Sequence, residues 1–127
     1  MSWDIPHDHR PDGNKEVHAH LYTADTAVGD IVLEYGHIIA PNGSAINHAV
    51  YDHSNTTVYT NDTVTQYAQH MVSLHTFTTT CNPGGVIMMT FRRLGADPGD
   101  TYLGNMFLVA FGIHYTTNHI AGTSTYA

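Results

Sequence analysis

The stretch from Asp100 to Tyr115 constrains this chain most, because Met106 to Ile113 is almost wholly apolar or small. The run is too short to cross a bilayer, and its branched and aromatic content favours a strand over a helix. It predicts a central strand buried on both faces, turning polar at His114-Tyr115 where buried strand gives way to an exposed end. The tail from His119 to Ala127 carries too little apolar content to hold itself in place.

Composition agrees with an all-β fold. Charged residues make up 12% of the 127, and Thr, Asn, Ser, Gly and His stand where a helical protein carries Glu, Lys and Ala. The length suits one domain with a single modest core. A formal net charge of −7 with four basic residues leaves little to neutralise phosphates, so neither nucleic acid nor an anionic membrane is an expected partner. The single cysteine, Cys81, excludes an intrachain disulfide and reads as a small core or loop residue. Met1-Ser-Trp-Asp-Ile-Pro has neither a basic nor an apolar leader region, so a soluble chain made in the cytoplasm is expected. The Asn42, Asn55 and Asn61 sequons carry no weight without a secretory signal.

Residues 1–14 hold Pro6, Pro11, Gly13, Asp8 and Asp12, and read as an extended N-terminal arm before a single sandwich domain over 15–127. Trp3 in that arm packs either on its own sandwich or on a neighbouring subunit. Glu16 to Tyr22 alternates strictly, with Val17, Ala19 and Leu21 on one face and Glu16, His18, His20 and Tyr22 on the other. Asp30 to Tyr35 predicts a strand that His37 to Ala40 continues past a kink at Gly36. Residues 45–53 and 56–60 read as two weak strands or one irregular excursion. In Gln66 to Phe77 a helix competes, but the alternation at Val72, Leu74 and Thr76 favours extended chain. Turns at Cys81 to Gly85 and Ala96 to Asp100 bracket a strand from Val86 to Leu94. Six to eight strands without a helix describe an antiparallel β-sandwich, jelly-roll-like in type.

Eleven histidines invite a metal reading, with His18 and His20 side by side on one strand face and His114 as a third candidate. The pair lacks a following carboxylate nearer than Asp25, and Gly43 to His48 lacks the Pro-Gly turn a cupin motif needs. These three rings are therefore expected to form a hydrogen-bonded polar cluster, with Ala110 and Gly112 leaving room for them, and no metal or other cofactor is expected. No nucleophile elbow, phosphate loop or paired acid and base occurs, so an enzyme is not expected. Arg92 and Arg93 fall on opposite strand faces; Asp97 and Asp100 are the nearest acidic partners, for a surface ion pair.

Trp3, Pro6-His7, Gly13 and Val17-His18-Ala19-His20 together resemble the opening motif of a family of tailed-bacteriophage virion proteins. In that family a W-P-H segment and a glycine turn lead to a strand of the form H-(I/V)-H-W. Glu34-Tyr35, Phe91-Arg92-Arg93-Leu94, Asp100-Thr101-Tyr102 and Ile113-His114-Tyr115 match its later segments in order, and Asn118 to Ser124 matches its tail loosely. The chain departs from the pattern where Leu21-Tyr22 replaces the tryptophan, where Gly112 replaces an acidic residue, and in lacking a long N-terminal extension. The resemblance implies a β-sandwich structural protein of the virion: a homotrimeric decoration or cement protein of the capsid, or a neck or tail accessory. Its partners would be itself and major capsid, neck or tail proteins, with Trp3, Pro6, His7, His18 and His20 as interface residues. The competing class is a cupin-like metal-binding enzyme or a sugar-binding β-sandwich module.

Overall fold

Alternation and turn chemistry resolve into seven strands in a computed structural model that describes residues 1–46, 50–62 and 66–117. They are β1 (Ser2–Asp4), β2 (Lys15–Thr23), β3 (Gly29–Ala40), β4 (His53–Asn61), β5 (Gln69–Phe77), β6 (Val86–Arg93) and β7 (Met106–Tyr115). A four-stranded sheet of order β1-β6-β3-β4 packs on a three-stranded sheet of order β5-β2-β7, and every pairing is antiparallel. The fold is an all-β sandwich with no helix among the described residues. Pairing is nested: β1 joins β6, β2 joins β5 and β3 joins β4, after which β7 adds to the free side of β2.

The inward residues of the alternating strands make the core. Val17, Ala19 and Leu21 from β2 meet Ile31, Leu33 and Tyr35 from β3, Leu74 and Phe77 from β5, and Ile87 and Met89 from β6. The 66–77 segment is a strand over Gln69–Phe77, as its alternation predicts. The 45–60 region differs from expectation: it holds one nine-residue strand, and residues 47–49 lie outside the described set. Gly36 marks no break, since β3 runs through it; instead the Tyr51 ring lies 3.1 Å from where a Cβ would sit.

Two expectations fail. The first concerns β7, which among the described residues is an edge strand with β2 as its one neighbour. Leu108 is 40% exposed and Val109 57%. A continuous apolar run is buried on both faces only where another layer covers each face; in this two-layer sandwich β7 has the core on one face alone, and the central place in its sheet belongs to the alternating β2. The second concerns residues 1–14, which are extended but not detached. Trp3 pairs with Ile87 in the sheet, and the Ile5 side chain lies in the core. The Ile5 N–H donates to the Gly85 carbonyl, and the Arg10 N–H donates to the Thr116 carbonyl. Proline and aspartate content obscured one well-placed isoleucine, whose burial outweighs the turn-forming residues around it.

Lys15 fixes this N-terminal segment from inside. Its ammonium is fully buried and donates to the carbonyls of Pro11 (3.1 Å), Gly13 (2.7 Å) and Thr79 (3.0 Å), with the Phe77 ring 5.7 Å away. Three acceptors satisfy the three donors of an ammonium, which is how a buried lysine keeps its charge. Burial still pulls its pKa down.

Candidate functional site

Strand alternation delivers three histidines to the outer face of the three-stranded sheet. His18 and His20 leave β2 on the same side, and His114 leaves the adjacent β7. The His18 ring stands 4.2 Å from the His114 ring and 5.0 Å from the His20 ring, centroid to centroid. His18 lies opposite Gly112, and a Cβ there would come within 2.3 Å of its Nε2, so only glycine permits the ring to lie flat across β7. Although on an outer face, His18 is 4% exposed, because its neighbours cover it. Burial lowers its pKa most, the His114 and His20 charges lower it further, and Glu16 opposes them. Gln69 donates to His20 Nδ1 at 2.5 Å, and Glu16 lies 3.8 Å from His114 Nδ1. The three rings come together; no group of three His, Cys, Asp or Glu among the described residues is arranged to hold a metal ion.

The residues expected at an interface are divided by the fold. Trp3 is half-buried and packs on its own sandwich, 5.9 Å from the His9 ring and 5.4 Å from the Tyr115 ring. Pro6 is half-buried, with its carbonyl accepting the His9 N–H. His7 is exposed and His20 partly so.

Surfaces that the sequence pattern does not mark lie elsewhere. Phe107, Leu108 and Val109 stand exposed along β7, and Leu103 just before it is 98% exposed. On its outer face Phe107 stacks on Tyr22 at 4.8 Å, and Tyr67 extends the row. On the inner side Leu108 and Phe111 join Met1, Met89, Thr90 and Phe91 around a cleft of about 290 Å³. A register shift between His20 and Leu21 leaves Val109 without a partner on β2, so the strand bulges there.

A second group of histidines sits at the opposite side of the sandwich, where β4 of one sheet meets β5 of the other. His37 from β3, His53 from β4 and His75 from β5 line a cleft of about 460 Å³ with Asp52, Ile39, Phe77, Thr79 and Thr80. Their separations in sequence carry no motif, and only the strand order brings them together.

The basic residues are all engaged within the chain. Arg93 grips Asp100 with two nitrogens, Nε at 2.8 Å and Nη2, and also donates to the carbonyls of Tyr102 and Gly104. Asp100 in turn accepts the Val32 N–H, and its side chain is 2% exposed. This pair is partly buried, not the surface pair its sequence context predicts. The Arg93 guanidinium holds the Asp100 carboxyl below the usual carboxylate range, so the pair anchors the turn leading into β7. Arg92 pairs with Glu34 at the surface and Arg10 with Asp12. With Lys15 inside, no basic side chain among the described residues stands unpaired to receive a phosphate backbone.

Comparison of the chain with protein-family models, with curated proteins and with solved structures gave no match.

Proposed function

We propose that this chain is a structural protein of a tailed-bacteriophage particle, a capsid decoration or cement protein or a neck or tail accessory, acting as a homotrimer through protein contacts and not as an enzyme. The observation that carries this reading is β7: ten residues, uncharged from Met106 to Ile113, exposed from Phe107 to Ala110, and paired on one side only among the described residues. An apolar edge of that length is an aggregation risk unless another protein covers it. The resemblance of Trp3, Pro6-His7 and His18-Ala19-His20 to the virion family supports the same class, and the nesting of β1 with β6, β2 with β5 and β3 with β4 is consistent with the jelly-roll-like sandwich that resemblance implies. Burial of His18 and the packing of Trp3 on its own sandwich move the proposed contact surface from those residues to β7 and to His7 and His20.

Light scattering on the purified protein and its copy number in a purified particle test the proposal. A trimer in solution and a copy number divisible by three at one position in the particle are expected. A protein monomeric both in solution and on the particle would overturn the trimer. A tightly held stoichiometric metal with turnover would replace the reading by the cupin-like one.

A further inference from the structure

The seam between β4 and β5 is where the two sheets are stitched at their edges. Asn55 Nδ2 donates to the Leu74 carbonyl at 2.9 Å, and Thr57 Oγ1 donates to the same oxygen at 3.4 Å. Beside these bonds the His53 and His75 rings lie face to face, 3.6 Å apart and 11° from parallel. His37 completes the group, 5.7 Å from His53 and 6.0 Å from His75, with its own exposure at 2%. Parallel rings at van der Waals distance do not aim their lone pairs at a common point, so this stack is packing and not a ligand set. Neutral imidazoles pack this way; two imidazolium ions at that spacing repel.

We propose that the His37–His53–His75 stack is an acid-released latch: neutral, it holds β4 on β5; protonated, it opens that seam while β2 and β7 stay paired. The inference is independent of the virion reading. The groups facing the stack decide its sign. From β3 come His37 and Tyr35, whose hydroxyl lies 3.0 Å from His37 Nδ1; from the segment before β4 comes Asp52; from β4, His53; from β5, His75. Behind Phe77, which stacks on His37 at 4.7 Å, stands the Lys15 ammonium, with Cys81 beyond. Among the described residues one carboxylate, Asp52, thus faces three imidazoles, and it already accepts the Ile39 N–H at 2.5 Å. It offsets a single proton and no more.

Burial, then the His53 and His75 charges, take the His37 pKa down to about 4 against the pull of Asp52, and His75 is lowered by burial and by His53. A base whose folded pKa is depressed stabilises the closed state fully above the unfolded value of about 6.5 and loses that contribution as pH falls toward the folded value. For His37 alone the closed-to-open ratio falls roughly 20-fold between pH 7 and pH 5.

Hydrogen-exchange protection measured strand by strand from pH 7.5 to pH 5, corrected for the intrinsic rate, tests the latch. Protection in β4 and β5 is expected to fall by at least tenfold more than in β2 and β7. His53→Gln, at a partly exposed edge-strand position, should flatten that loss, while His20→Gln on the other sheet face should leave it. His75→Gln gives the same test if His53→Gln does not fold. Acid loss spread evenly over all strands, or a seam that opens as much in both seam variants as in the wild type, would overturn the proposal.

Discussion

Strands β2 and β7 run side by side in one sheet, and each defies its own composition. β2 carries Lys15, Glu16, His18, His20 and Tyr22 and yet has most of its residues buried; β7 is nearly all apolar and shows four consecutive exposed residues. The difference is the number of neighbours. β2 has β5 on one side and β7 on the other, so even its outward residues are covered, whereas the far side of β7 has no partner strand among the described residues. Burial follows position in the sheet, and hydrophobicity reports only what a position would tolerate.

The largest test of that contrast compares leucines facing each other across the two strands. Leu21→Ala should cost about 3 kcal/mol, since its side chain is fully buried in the core. Leu108→Ala, opposite it, should cost under about 1 kcal/mol in a denaturant titration of dissociated protein. Equal losses would show that β7 is as central to the fold as its composition suggests.

A smaller effect sits where the strands touch. Gly112→Ala drives a methyl into His18 and should cost about 1–3 kcal/mol. The double variant with His18→Ala should recover much of that, because the obstacle is then gone. Failure to recover would place the strain in the backbone and not in the ring. The same cluster gives the β2–β7 contact an acid sensitivity of its own, smaller than that of the β4–β5 seam: the folded His18 pKa is lowered, so its contribution is intact above the unfolded value near 6.5 and shrinks as pH falls below it. A stability series on wild type and His18→Gln/His20→Gln should show the acid slope reduced in the double variant.

The smallest effect on folding should carry the largest on association. Val109→Lys, at the exposed bulge, should change stability by no more than about 0.5 kcal/mol, yet abolish the proposed trimer as read by light scattering. An unchanged oligomer would move the contact surface off β7.

Local pattern makes β2, β5 and β6 legible in the sequence, because alternation decides which face each residue takes before any partner is known. It also makes the room at Gly112 for a ring from the neighbouring strand legible, since Gly112 shares a face with His114 by parity along the strand; the ring there is that of His18. Strand order has no such local signature. The sequence of β7 does not show that its second side lacks a neighbour, and His37, His53 and His75 lie on three strands whose adjacency depends on how the sheets fold over each other. Ile5 was hidden among turn residues, and the Lys15 site was invisible because its three acceptors are main-chain oxygens.

Lys15 is the chain's only lysine, and its amine is enclosed. Acylating reagents applied to the native protein should therefore mark the α-amino group and spare the side chain, leaving the bond after Lys15 as the one lysine site for trypsin and closed to it. Labelling at that one nitrogen then becomes a clock for how often the N-terminal segment lets go, readable by mass without any engineered probe.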